Sequence, residues 1–441
     1  MAGSESTIGA LLDETGGSIK TGPFGTKLKA AEYTATGVPV ISVGEVGFGR
    51  LRVHHDTPRV DETVSSRMPE FLLKAGDIVF GRKGAVERSA QVQPDEDGYF
   101  LGSDGIRIRL NVDECDPKFI SYQLQTTAHR SWMIQHAAGT TMPSLNEGII
   151  RRIPIVLKPL AEQKAIAAVL GALDDKIELN RRMNATLEAM ARALFQSWFV
   201  DFDPVRAKLD GRPPSALDPA TAALFPDSFQ DSEVGRIPAG WTVRSLSEVI
   251  DLGSGVPYEA KFKGESGLPM ITLGCVSFHD RFQDKGLTYY SGSYKESHVV
   301  QTDDLVVASH DVTQERKQLG SPAMVPRWLK GSTILAATNL YVVRNNSKFP
   351  NQYLYQLFRA EGFRQQMVAS AKGTAILFIS KDSILRHRLA WPSEELASRF
   401  SAEAEALYSQ YAINAAQSRT LATLRDTLLP KLLSGELSVA G

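Results

Sequence analysis

The 441-residue chain is written twice. The segment TGVPVISVGEV at residues 36–46 matches SGLPMITLGCV at residues 266–276, with Gly37, Pro39 and Gly44 opposite Gly267, Pro269 and Gly274. LKAGDIVFGRKG (residues 73–84) matches VQTDDLVVASHD (residues 300–311), with Asp77 opposite Asp304. Tyr122, Gln123 and Leu124 match Tyr355, Gln356 and Leu357. Gly139 and Thr140 match Gly373 and Thr374, and KPLAEQ (residues 158–163) matches WPSEEL (residues 391–396). The order of the matches never changes, and the offset drifts only between 227 and 234. Five blocks in register mark a tandem duplication of one unit of roughly 200 residues, not a solenoid of short repeats.

Each copy has two parts. The first is rich in short β-type runs between turns, such as VPVISV, DIVFGR and GIRIRL, then LPMITL, DLVVAS and TNLYVV. One helical stretch closes each, at residues 117–136 and 350–371. That mixture predicts an α+β globule. The second part is helical. Ile166, Leu173, Asn180, Leu187 and Leu194 recur every seven residues, and Leu170, Ile177, Asn184, Ala191 and Trp198 follow four residues behind. These are a and d heptad positions. The second copy repeats them as Phe400, Leu407, Asn414, Leu421 and Leu428, with Ala404, Tyr411, Ser418, Arg425 and Leu432.

A helix with such a seam needs a partner seam, and the other copy supplies one. About 40 residues at 1.5 Å each make a rod of roughly 60 Å. Antiparallel pairing puts Asn180 and Asn414 in one central layer, where a buried polar residue fixes register at some cost in stability. Ser393, followed by Glu394 and Glu395, is a good helix start. DFDP (residues 201–204) reads as a helix stop. The predicted architecture is α+β, with two similar domains at residues 1–158 and 239–391. Long helices at residues 159–200 and 392–433 form an antiparallel coiled coil, with a linker at 201–238 and a tail at 434–441.

The 49 Lys and Arg nearly balance 50 Asp and Glu, which argues against coating nucleic acid through bulk charge. The distribution is uneven, however. Residues 236–391 carry a net +6, residues 1–158 a net −1, and the helical segments 159–235 and 392–441 a net −4 and −2. Basic residues cluster in loops: Lys20, Lys27 and Lys29; Arg82, Lys83 and Arg88; Lys261 and Lys263; His310, Arg316 and Lys317. Glycines beside them allow close backbone approach, and Lys or Arg there could neutralise phosphates. Polar residues of the repeated Gly-Thr segments, Thr140, Thr141, Ser144 and Asn146, then Lys372, Thr374 and Lys381, join them as candidates for base or phosphate contacts. The alternative is a set of solvated surface charges.

Catalytic motifs are absent from the sequence. There is no phosphate loop, HExxH, GxSxG or Asn/Asp-Pro-Pro-aromatic tetrapeptide. Cys115 and Cys275 lie too far apart in sequence for a zinc pair and are expected as reduced thiols of a cytoplasmic protein. MAGSESTIGALLDETGG shows no signal-peptide pattern, and no apolar run approaches the length of a membrane span.

These features together resemble the specificity (S) subunit of type I restriction–modification enzymes. The resemblance is carried by residues 139–184, by LFQSWFVDFDPVRAK (194–208), by GWTVRSLSEV (240–249) and by LRDTLLPKLLSGEL (424–437). It implies that each globule is a target recognition domain for one half of a split double-stranded DNA site, and that the helices space the halves. It also implies two methyltransferase subunits and restriction (motor-nuclease) subunits as partners. S-adenosylmethionine, ATP and magnesium then belong to those partners, and this chain has no catalytic residues, metal or cofactor of its own. Arg181 and Arg182, outside the seam, are candidate methyltransferase contacts. The second copy departs most, with TAILFIS in place of TTMPSLN, which weakens transfer of loop roles to that half. A coiled-coil adaptor that binds only protein is the alternative function.

Overall fold

The computed structural model describes residues 4–25, 27–139, 141–277, 281–311, 318–373 and 376–439. The chain divides into two compact units. The first joins Met1–Ile177 to Arg419–Gly441, and the second is Glu178–Ser418.

In the first unit, one sheet runs in the order Ser18–Thr21, Gly105–Arg109, Ile78–Gly81, Ser89–Gln91, Gly49–Arg50. A second holds Tyr33–Thr34, Arg59–Val60, Val38–Ile41 and Phe100–Leu101, the last two parallel. Strand Ile78–Gly81 is buried on both faces. Ile78 and Phe80 join the core that includes Phe119 and Ile150, while Val79 joins a second core with Val40 and Phe100. Strand alternation therefore assigns one strand to two cores.

The second unit repeats this plan. Ile250–Ser254, Leu340–Asn345, Leu305–Ala308 and Pro322–Met324 form the first sheet, and Leu268–Ile271 pairs parallel with Ile334–Ala336 in the second. The matched aspartates do the same job in both. Asp77 accepts from Lys74 N at 2.8 Å and from Nε and Nη2 of Arg109 at 2.7 and 2.6 Å. Asp304 accepts from Gln301 N at 2.9 Å and lies 3.7 Å from Arg344. Their role is to close a turn ahead of a core strand.

The expected single helical stretches are each broken in two. Pro117–Leu124 is followed by Thr127–His136 because the Thr126 hydroxyl caps a new start, accepting from His129 N at 3.3 Å. Asn351–Arg359 and Glu361–Ala369 are separated by an extended Ala360.

The first spacer helix is Leu160–Phe199 and the second Glu394–Ser434. Ser393 Oγ caps the second, accepting from Leu396 N at 3.1 Å. The first stops at Phe202, in the left-handed region with φ 56°, and a short helix Asp203–Leu209 restarts there. DFDP is thus a stop and a start together.

Within each unit the helices run antiparallel. In the first unit, Arg425 donates to Asp174 at 2.7 Å, and Ile166 and Leu170 share a core with Leu429 and Leu432. In the second, Asn180 Nδ2 donates to Asn414 O and Ser418 Oγ, each at 3.3 Å, and to Gln417 Oε1 at 2.9 Å. Asn414 Nδ2 donates to Asn184 Oδ1 at 3.0 Å, and Asn184 Nδ2 to Tyr411 O at 3.3 Å. The two asparagines share one buried layer. Leu173, Ile177, Leu187, Leu194, Leu407, Leu421 and Leu428 are half-buried along the seam.

The buried stripe is narrow only near this layer. Elsewhere Ala167, Phe195, Phe199, Ala397 and Tyr408 are buried outside the a and d positions. There each helix also packs on a globule, so a wider face is covered than a two-helix seam requires.

The same helix of each globule is fastened to the spacer by polar groups. Tyr122 Oη donates to Asp174 at 2.7 Å. In the second unit, Gln356 donates to Tyr408 Oη at 2.9 Å and to Glu188 at 3.3 Å. The Arg281 guanidinium stacks 3.8 Å from the Tyr408 ring centre, and 4.0 Å separates it from Glu188.

Candidate nucleic-acid interface

Two glycines set the closest backbone approaches in the candidate loops. A Cβ on Gly22 would sit 1.8 Å from Gly102 O, and one on Gly255 would sit 2.1 Å from Ala337 O. No larger residue fits, so each loop lies directly on the neighbouring strand end.

In the first unit, Ala138 and Ser144 pair as the base of a hairpin. They exchange N–H···O bonds of 2.8 and 2.7 Å, and Leu145 N donates to Arg82 O at 2.8 Å. Gly139, at φ 92°, makes the turn. The hairpin lies beside Arg82 and Lys83. The Arg82 guanidinium stands 5.1 Å from the centre of the Phe24 ring, and Lys83 lies 3.7 Å from Asp104. Lys20 and Lys27 share the Phe71 ring at 5.0 and 5.6 Å, with Lys29 exposed nearby in sequence. Arg88 faces a different ring, Phe48, which it shares with Arg130 at 5.8 and 5.1 Å. Aromatic faces attract cations and hold them without spending their hydrogen-bond donors.

Asn146 is exposed, but its side-chain oxygen caps the helix Glu147–Arg151, accepting from Ile149 N at 2.9 Å. Thr141 is exposed beside the turn, and Thr140 lies outside the described residues.

The second unit carries the same hairpin despite its different sequence. Lys372 and Phe378 exchange two bonds of 2.9 Å, Gly373 turns at φ 98°, and Ile379 N donates to Ser309 O at 2.9 Å. Ser380 takes the place of Asn146 as a helix cap. The turn glycine, the ladder and the helix cap of the first copy therefore recur in the second although the side chains differ. His310 occupies the position of Lys83. Its ring stacks on Phe378 with centroids 6.1 Å apart, and burial lowers its pKa. Lys261 faces Phe262 at 4.8 Å, Lys263 faces Tyr258 at 5.7 Å and Lys381 faces Tyr341 at 5.6 Å. Arg316, Lys317 and Thr374 lie outside the described residues.

The rings beneath the cations were missed by a search for charge alone, although Phe24, Tyr258 and Phe262 stand interleaved with lysines in the sequence. Also missed was an apolar stripe on the first spacer helix. Leu179, Met183 and Met190 are 50%, 37% and 51% exposed, outside the seam. Arg181 and Arg182 flank it, and both donate to Glu178, with Arg181 chiefly holding that carboxyl down at about 2. Both cysteines are buried, which pushes their thiols up to about 12. Among the described residues no cluster of His, Cys, Asp and Glu could hold a metal, and no helix is long and apolar enough to cross a membrane.

Each of the two repeated units thus carries cations set against aromatic rings. The sequence profile described as the type I restriction modification DNA specificity domain matches residues 22–189. The type I restriction enzyme HindI specificity subunit of Haemophilus influenzae is 24% identical over 416 residues, covering 83% of this chain and 87% of the relative. The MjaIX specificity subunit of Methanocaldococcus jannaschii is 24% identical over 344 residues, covering 76% and 72%. The crystal structure of the type I restriction-modification system S subunit from M. genitalium shares the fold. Its TM-score is 0.55 at 16% identity, with 97% of this chain and 95% of that one covered. Over most of its length the chain is thus similar to type I restriction–modification specificity subunits. Those relatives are specificity subunits, not catalytic ones.

Proposed function

We propose that each unit binds one half of a bipartite double-stranded DNA site, with the gap between halves set by the length of the spacer helices. One observation carries this reading. Both units present the same hairpin base against the same strand-end loop, and both carry cations held on aromatic rings, while the side chains on the hairpin differ. A repeated scaffold with divergent side chains suits two different half-sites. Arg82, Lys83, Lys20 and Lys27 would contact phosphates, and Thr141 and Ser144 base edges.

The test is the salt dependence of binding. Replacing Arg82, Lys83 and Arg88 together with Ala should weaken binding and reduce the slope of log K against log salt by about 0.9 for each phosphate deprived of its cation. A slope equal to wild type would make these residues bystanders. The protein-only adaptor reading requires no duplex binding, with or without a methyltransferase partner.

The chain would work in the cytoplasm with two methyltransferase subunits and with restriction subunits. The exposed stripe Leu179, Met183 and Met190 suits such a partner, since methionine packs adaptably against apolar surfaces. S-adenosylmethionine, ATP and magnesium would be bound by those partners.

A further inference from the structure

Two like charges share one ring at the edge of the first unit. The guanidinium groups of Arg88 and Arg130 stand 5.8 and 5.1 Å from the centre of the Phe48 ring, which is 45% exposed. The Nε of each arginine is buried and meets no hydrogen-bond acceptor among the described residues. Among those residues Arg88 has one carboxylate, Glu87 at 3.8 Å, and Arg130 has none. Two cations so placed repel each other, and a single carboxylate at that distance offsets the repulsion only in part. The pair suits an anion from outside the chain.

Its position in the sheet says which anion. Strand Gly49–Arg50 is the sheet edge and runs parallel to Ser89–Gln91, which brings Phe48 level with Ser89 and beside Arg88. Gly81 N donates to Arg88 O at 3.1 Å, so Arg88 lies at the same strand end as Arg82. The pair therefore continues the cation-bearing loops across the sheet end, away from Lys20 and Phe24. Beyond the edge strand is the spacer. Arg50 donates to Asp175, close to the end of this unit's share of the first long helix. A row of cations that runs on past the candidate base-reading hairpin to the spacer matches a polyanion, the sugar–phosphate backbone, better than one acidic side chain. The sequence of the second copy keeps the three residue types, with Phe278, Arg316 and Arg364 opposite Phe48, Arg88 and Arg130. Arg130 and Arg364 are each the fourth residue of their helix.

We propose that Arg88 and Arg130 bind backbone phosphates just outside the half-site of the first unit, in the gap whose bases are not read. The proposal rests on the DNA-binding reading above. It adds Arg130 as a contact blind to sequence, with Phe48 holding both cations in place. A ring face takes none of the N–H donors, so the planar forks can meet phosphate oxygens.

The experiment uses the full chain with its methyltransferase subunits, and duplexes of the mapped site in which single phosphates are replaced by neutral methylphosphonates. Wild type should lose about tenfold in affinity when a gap phosphate beside one half-site is neutralised, as for a lost charge-assisted hydrogen bond. Changing the base pair at that position should cost nothing. Arg130→Ala should show a similar loss on unmodified DNA, a salt slope lower by about 0.9, and no further loss on the methylphosphonate duplex. Arg130→Lys should keep most of the slope, which separates a lost contact from a lost fold. A wild-type affinity and slope in Arg130→Ala overturns the proposal, as does an equal methylphosphonate loss in variant and wild type. Release of the methyltransferase subunits by Arg130→Ala at an unchanged slope also overturns it, and assigns the pair to a protein partner. If wild type binds no duplex at all, the DNA-binding reading itself has failed.

Discussion

Arg281 shows how much a single side chain can decide. Only 11% of it is exposed, and it stands between the rings of Tyr408 and Tyr355 and the carboxylate of Glu188. Its removal leaves Glu188, itself 5% exposed, with Arg359 at 3.6 Å and the nearby Arg192, and takes the closely stacked cation from the tyrosine pair. Breaking such a buried group costs about 3 kcal/mol or more, because a desolvated charge loses its partner. Arg281→Ala should therefore lower the melting temperature of the full chain markedly, and Arg281→Lys less, since the charge survives and the stacking does not. Arg327 is the contrast. It reaches both Asp303 and Glu405, but it is 43% exposed, and Arg327→Ala should cost only about 1 kcal/mol or less. Equal melting shifts for the two alanine variants would show that burial does not govern these pairs.

At the scale of elements, the asparagine layer specifies the helix pairing. Asn180 Oδ1 is buried and, among the described residues, meets no hydrogen-bond donor, so there the layer is only partly satisfied. Asn180→Leu alone should destabilise by about 1–3 kcal/mol, because Asn414 and Ser418 lose a buried partner. Asn180→Leu combined with Asn414→Leu should recover much of that loss, as both buried amides go together, while the half-buried Asn184 and Ser418 remain and the layer becomes less particular about register. Melting of the three variants checks this, and a double variant less stable than the single would refute it. The layer was legible in the sequence because heptads have a fixed period and both asparagines sit at the same phase. The sheets were legible only as short apolar runs. Nothing in DIVFGR announces that Ile78 and Val79 belong to different cores, since an alternating strand buried on both faces has lost its polar rhythm. The breaks at Thr126 and Ala360 were missed for a related reason: helical periodicity runs across them, and only the cap geometry separates the pieces. The ladder of the second unit was hidden because main-chain pairing at Lys372 and Phe378, not side-chain identity, is what it shares with Ala138 and Ser144.

For the molecule as a whole, duplication explains why net charge was uninformative. A sum of −1 conceals a +6 segment and acidic spacers. The spacer-length reading gives a quantitative prediction. Insertion of one heptad into both long helices adds about 10 Å, which is about three base pairs along the duplex. The half-site sequences should stay the same while the gap between them lengthens, as methylation mapping would report. Altered half-sites with an unaltered gap would count against a ruler.

The first unit is discontinuous, since its core takes Leu429 and Leu432 from a segment more than 240 residues beyond Ile177. This has a consequence for the order of events during synthesis. At about 5–20 residues per second, the last helix follows the first by roughly 10–50 seconds. During that interval the second unit emerges with its own globule already encoded between the helices, whereas the first waits with Ile166 and Leu170 uncovered. The half of the protein made first is thus the half completed last, and a ribosome that stalls late in the message leaves the early unit, not the late one, without its closing strap.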